Sequence, residues 1–203
     1  MPDRPKNSPK TPKAAIQKAD GMRAAFDAIA IGRHSDPFSI LGVHKAGKGF
    51  IGRVFAPGAD TLDAFTLGGD PIGVLERVHD SGIFEGPLSI KSFQPIRYHA
   101  KATHGDWSFA DPYSFGPVLG PMDDYYIAEG SHLRLFDKLG AHVMHHDGAD
   151  GVHFAVWAPN AERVSVVGPF NLWDGRKHAM QVRGASGLWE LFIPDVGTGT
   201  AYK

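Results

Sequence analysis

Apolar positions recur along this chain in two rhythms. Between residues 12 and 33, Ile16, Ala19, Met22, Phe26 and Ile29 repeat at steps of three and four. That is the stripe of one short helix, weakened by Gly21 and stopped at Gly32. Beyond His34 the rhythm shortens to two. Phe50, Gly52 and Val54 alternate with Ile51, Arg53 and Phe55, as in a strand with two different faces. Ala56-Pro57-Gly58 closes it, because proline cannot donate to a ladder and glycine permits the turn. Further strands are predicted at Leu62–Leu67, Gly73–Val78, Ile83–Ser89 and Ile96–Thr103. Strands this short, cut by Gly, Pro and Asp turns, predict a β-sandwich over residues 34–117.

Asp111-Pro112-Tyr113 and Gly116-Pro117 end that unit. Residues 118–138 carry Tyr126, Ile127, Leu133 and Phe136 at near-helical spacing and predict a linker with a short helix. A second β-unit, residues 139–203, follows. Val152, Phe154 and Val156 form one strand face, Val164 and Val166 the next, and Trp189, Leu191 and Ile193 a third. The chain stops at Tyr202-Lys203 where another strand begins, so the second sandwich is expected to be truncated and the chain to be a fragment. The fold class expected is all-β: two tandem immunoglobulin-like sandwiches, a short N-terminal helix and a helical linker.

The second unit repeats the first. Phe55-Ala56-Pro57 returns as Trp157-Ala158-Pro159, and Ser81-Gly82-Ile83-Phe84-Glu85 as Ser186-Gly187-Leu188-Trp189-Glu190. Tyr98 returns as Tyr202, and Leu41-Gly42-Val43-His44 as Leu139-Gly140-Ala141-His142. A period near one hundred residues is far longer than a solenoid repeat and means whole duplicated domains. Only the second copy has an aromatic loop, PFNLWDG. The first copy has Gly69 and Pro71 opposite Asn171 and Trp173.

Composition narrows the chemistry. A net charge of −1 over 203 residues argues against a nucleic-acid surface as the main function. Cysteine is absent, which excludes disulfides and thiolate metal sites and is compatible with the cytoplasm. No apolar run approaches the roughly 20 residues of a membrane span, and the basic stretch 1–11 reads as a disordered tail without a secretory signal behind it. His142, His145, His146 and His153 cluster in sequence without a metal-site spacing and read as solvated loop histidines. No GxSxG or phosphate loop occurs, and no catalytic residue, metal or cofactor is expected. A tryptophan on a sandwich loop beside amides is a usual means of holding a sugar, with the ring against the pyranose C–H face. Trp173 and Asn171 fit that pattern, with Trp189 and Lys203 as flanks. The competing reading makes Trp173 an anchor against a neighbouring domain, and Trp189 alternates like a core residue.

Longer motifs sharpen this. Residues 32–44, GRHSDPFSILGVH, resemble the GRHxDPFxxLGxH motif of bacterial 1,4-α-glucan (glycogen) branching enzymes. Glu129-Gly130-Ser131-His132 through Leu139-Gly140-Ala141-His142 resembles their linker, and FAVWAPNA, VSVVGPFNLWDG and SGLWELFIP look like their second N-terminal module. The resemblance implies two β-sandwich modules, the second of carbohydrate-binding family 48, ahead of a catalytic (β/α)₈ barrel that lies outside this chain. The reaction implied is transfer of an α-1,4-glucan chain to a 6-hydroxyl, forming an α-1,6 branch in glycogen. Trp173 and Lys203 match glucan-contacting positions of such modules; a further tryptophan would lie beyond Lys203. The partners implied are α-1,4-glucan and the barrel of the same polypeptide. A stand-alone glucan-binding module, or a debranching or trehalose-forming relative, are the alternatives.

Overall fold

The computed structural model describes residues 13–184 and 186–203, with side chains of the first helix from Asp20 onward. The basic tail, and the side chains of Ile16 and Ala19, lie outside the described residues. Helix α1 runs Lys13–Ala30. Its apolar stripe places Phe26 and Ile29, with Met22 beside them, on Leu41, Phe55 and Ile83 of the first β-unit.

Seven strands build that unit: β1 (Gly42–Ala46), β2 (Gly49–Phe55), β3 (Thr61–Thr66), β4 (Pro71–His79), β5 (Ile83–Leu88), β6 (Ile96–Lys101) and β7 (Trp107–Ala110). Their order is β1-β2-β5-β4-β3-β6-β7, antiparallel throughout. β4 is shared. Pro71, Gly73, Val74 and Leu75 pair with β3, whereas Glu76, Arg77 and His79 pair with β5. One strand therefore serves both ends of the sheet, and the sheet folds over it into two layers. Val54, Leu62, Leu75, Phe84, Ile96 and Tyr98 fill the space between. The sequence reading finds five of these strands within a few residues. β1 and β7 lack apolar alternation and are additions.

Helix α2 (Pro121–Ala128) follows, and then the second unit: β8 (Gly140–His146), β9 (Ala149–Trp157), β10 (Gln181–Arg183) and β11 (Leu188–Pro194), ordered β10-β11-β9-β8. A second layer faces this sheet. Val166 and Met180 N–H groups donate to His178 and Val164 carbonyls at 3.0 and 2.9 Å, and Val167 and Lys203 exchange two backbone bonds of 2.9 Å. Val152, Phe154, Val166, Trp189, Leu191 and Ile193 are buried in the core.

Hydrogen bonds show how far the duplication extends. Ala56 N–H donates to Gly82 O, and Ala158 N–H to Gly187 O, both at 2.8 Å. Gly82 (φ 94°) and Gly187 (φ 73°) are left-handed, and a Cβ there would lie 2.7 Å from Pro57 Cα and 2.6 Å from Pro159 Cα. Only glycine fits either position. His44 and His142 each place Nε2 on a carbonyl three residues back, Leu41 O at 3.0 Å and Leu139 O at 2.9 Å. The match runs further upstream than the sequence comparison reached. Gly32 (φ 68°) and Gly130 (φ 69°) end α1 and α2, His34 and His132 accept a backbone N–H two residues on, and 3₁₀ turns follow at Pro37–Ser39 and Leu135–Asp137. Each β-unit has its own leading helix.

The units are locked together. Ala179 N–H donates to Tyr113 Oη at 3.0 Å, Arg97 pairs with Asp195 at 2.9 Å, and the Phe115 and Phe192 rings lie 5.1 Å apart. Phe38, ahead of β1, reaches the second core and sets its ring edge-on to Tyr113 at 4.9 Å.

Candidate functional site

The loop between Val167 and His178 begins where the strand ladder stops. At Gly168 the chain passes so close to its own C-terminal segment that a Cβ would sit 2.7 Å from Ala201 O. Pro169–Asn171 then form one 3₁₀ turn. Asn171 is only 2 % exposed, and its side chain is spent on the loop itself. Oδ1 accepts Gly168 N–H at 3.0 Å, while Nδ2 donates to Val166 O at 2.9 Å and to His178 Nδ1 at 3.0 Å. Trp173 N–H returns to Gly168 O at 2.9 Å.

That closure forces two successive non-glycine residues, Leu172 (φ 57°) and Trp173 (φ 60°), into the left-handed region. Each such residue costs about 1–2 kcal/mol. The strain is offset by the buried Asn171 bonds, and its result is outward presentation: Leu172 is 84 % and Trp173 49 % exposed. Local strain of this kind, overdetermined by its surroundings, concentrates at functional positions. The neighbouring Asp174 is already occupied. Arg176 donates to it through Nε at 2.9 Å and a terminal nitrogen at 2.8 Å, holding the carboxyl below the usual carboxylate range. Burial pushes the His178 imidazole down to about 4, so it is neutral near pH 7 and accepts the Asn171 amide.

Two residues of the expected set stand elsewhere. Asn171 faces inward and has no free polar atom for a sugar hydroxyl. Trp189 is 4 % exposed, packed in the core with Nε1 donating to Ala158 O at 3.0 Å. Strand alternation places it inside, and its ring offers no face to a ligand. Trp173 and Lys203 are both exposed. Their segments meet at Val167 and Gly168, where Lys203 pairs with Val167 and Trp173 bonds Gly168. The histidines are also placed differently from the loop reading: His142, His145, His146 and His153 lie on β8 and β9, and His153 is buried against Glu190 at 3.0 Å.

Sequence reasoning missed two aromatic positions. Trp157 is 60 % exposed although it ends an apolar strand, and its Nε1 donates to Ser186 O at 3.1 Å. Phe170, one residue before Asn171, turns inward onto the core of the second unit, its ring edge-on to His178 at 5.3 Å. The turn thus sends Phe170 inward and Trp173 outward, a division with no signature in the apolar pattern.

Comparison with known proteins assigns both units. Residues 138–203 match the model of carbohydrate-binding module 48 (isoamylase N-terminal domain). The second unit is therefore similar to that class of module. Residues 22–113 match the model of the alpha-1,4-glucan branching enzyme GlgB N-terminal domain. The 1,4-alpha-glucan branching enzyme GlgB of Mesorhizobium japonicum is 64 % identical over 192 residues, 94 % of this chain and 26 % of that protein. The corresponding enzyme of Rhizobium meliloti is 63 % identical over 185 residues, 90 % of this chain and 25 % of that protein. GlgB 1 of Rhizobium johnstonii is 57 % identical over 197 residues, 96 % of this chain and 27 % of that protein. The chain spans about a quarter of the length of these relatives. Among the described residues no helix is long and apolar enough to cross a membrane.

Proposed function

We propose that this chain is the non-catalytic N-terminal region of a cytoplasmic 1,4-α-glucan branching enzyme, which transfers α-1,4-glucan chains to form α-1,6 branches in glycogen. The high identity to branching enzymes over nearly all of the chain supports that reading, and so does their greater length, which leaves room for a catalytic domain downstream. In the same proposal residues 34–117 and 139–203 are the two β-modules, the second continuing past Lys203, and the catalytic residues lie outside this sequence. The first module lengthens and positions the glucan-handling surface.

Within this region Trp173 is the glucan contact, with Lys203 beside it. The observation that carries this is the Leu172–Trp173 backbone, strained left-handed so that an indole is held half-exposed on a pinned turn. One stacked ring contributes roughly 1 kcal/mol, so millimolar binding of a maltooligosaccharide is expected. Titration with maltoheptaose should perturb the Trp173 indole in fluorescence or NMR. An unperturbed indole removes the assignment.

A second reading rests on Leu172. An aliphatic side chain this exposed beside the indole suits a protein contact better than a sugar. In that reading the pair packs against the catalytic domain of the same polypeptide. Burial of both side chains in the full-length enzyme, seen as loss of Trp173 quenching by acrylamide, would favour it.

A further inference from the structure

A cleft of about 260 Å³ opens between the two units. The first unit supplies Trp107 and the segment through Tyr113, and the second supplies Phe170 and Arg176–His178. Ligand sites favour such seams, where apolar walls meet a few fixed polar groups, and this volume lies just below the usual range for drug-sized ligands. Trp107 is 38 % exposed at the mouth. Asp111, only 1 % exposed, forms part of the wall. Its Oδ1 accepts Tyr113 N–H at 3.1 Å, but Oδ2 is buried with no hydrogen-bond partner among the described residues. A buried acceptor left without a donor costs about 1–3 kcal/mol, which a ligand hydroxyl would recover.

The charges select the ligand. A cation entering the cleft meets Arg176 and Lys177; an anion meets Asp195. Burial also pushes the Asp111 carboxyl up to about 7, so near neutral pH it can donate as well as accept. A neutral ring rich in hydroxyls matches this mixture: it can donate to Asp111, accept from Lys177, and set a C–H face on Trp107 or Phe170. The volume holds one such ring.

We propose that the seam between the modules is a second carbohydrate site, separate from the Trp173 loop, which takes one neutral pyranose, the terminal glucosyl unit of a maltooligosaccharide. The choice of a glucosyl ligand rests on the glucan-handling reading above. The site itself rests on the cleft and the unpartnered Asp111.

The four tryptophans provide the test, since each indole N–H gives its own NMR signal. Trp107 reports the cleft, Trp173 the loop, Trp157 the end of β9 and Trp189 the core. Titration of the ¹⁵N-labelled chain with maltose should shift the Trp107 indole and the Ala179 amide along one saturable curve. That curve should persist in Trp173→Ala and weaken roughly fivefold in Trp107→Ala. A Trp107 indole that stays fixed while Trp173 shifts would overturn the seam site and leave the loop reading intact. The reverse would remove the loop and keep the seam. If neither moves, both fail. A Trp107 shift that disappears in Trp173→Ala would also overturn it, by making the seam a mere echo of loop binding. The wild-type titration decides the matter even if Trp107→Ala folds poorly.

Discussion

Glu85 and Glu190 occupy the same position in the two repeats, and each carboxylate fastens the segment that leads into its own sheet. Glu85 accepts Arg53 Nε–H at 2.7 Å, and Arg53 in turn donates to Ile40 O at 2.8 Å. Glu190 does this directly. One oxygen accepts the N–H groups of Val118 and Leu119, both at 3.0 Å, and meets His153 Nε2 at 3.0 Å; the other lies 3.2 Å from Arg183 Nε. Arg183 also holds α2 through Asp124 at 2.6 Å.

Removal of this buried acceptor should be costly. Glu190→Ala orphans two backbone donors and leaves buried His153 without its partner, while Arg183 keeps Asp124, so a loss of about 3–5 kcal/mol is expected in urea denaturation. Glu190→Gln retains one acceptor oxygen and should lose less. Glu85 is a third exposed, and Glu85→Ala should cost roughly 1 kcal/mol. Equal losses at the two glutamates would contradict the difference in burial.

The paired glycines make a symmetrical prediction. Gly82→Ala and Gly187→Ala each introduce a Cβ into a left-handed residue and against a proline backbone. Both should destabilise by more than about 1 kcal/mol, and by similar amounts. A thermal melt in which one is neutral would show that the two turns are not equivalent.

Asn171 and Trp173 should separate folding from binding. Trp173→Ala is expected to leave stability within about 0.5 kcal/mol, because the ring is half-exposed, while removing maltoheptaose binding at the loop, read from the amide shifts of residues 167–178. Asn171→Ala should cost about 2–3 kcal/mol, since it orphans the Gly168 N–H and the Val166 carbonyl. It should weaken glucan binding only by loosening the turn, and it should broaden the Trp173 indole resonance. Paired denaturation and titration of the two variants checks this.

At the seam two titrating groups oppose each other. Burial raises Asp111 to about 7 from an ordinary 3.8, so its contribution is complete below 3.8 and lost as pH rises through 7. Burial lowers His178 to about 4 from 6.5, so its contribution is complete above 6.5 and lost as pH falls through 4. Between pH 4 and 6.5 the folded chain keeps a proton on Asp111 and the unfolded chain keeps one on His178. The two slopes cancel. Asp111→Asn should then gain stability with rising pH at about 1.4 kcal/mol per unit in that window, and His178→Gln should lose it at a similar rate. Denaturation midpoints at pH 4.5, 5.5 and 6.5 test the signs.

Periodicity made much of the fold legible. The stripe of α1, the alternation of β2 and β9, and the glycine–proline turns were enough to place most strands and to expose the duplication. It failed where structure depends on partners distant in sequence. β1 has little apolar alternation and is fixed by its ladder to β2. β4 looks like an ordinary strand because nothing local marks the change of partner between Leu75 and Glu76. Asn171 reads as a surface amide, since burial of a polar side chain depends on backbone acceptors that only the folded turn brings together. Trp173 was visible as an aromatic in a loop, whereas Asp111 and Trp107 belong to a cleft that no single segment contains.

The helix at the head of each repeat bears on how this region arose. α1 and α2 end in matched left-handed glycines and lead through matched histidines and 3₁₀ turns into matched hairpins. The ancestral piece was therefore a helix-headed unit, and duplication joined two of them tail to head. By descent the junction lies before Pro121, and residues 121–138 were inherited with the second copy. The aromatic turn after Val167, with no counterpart after β3, is then a feature of one descendant alone.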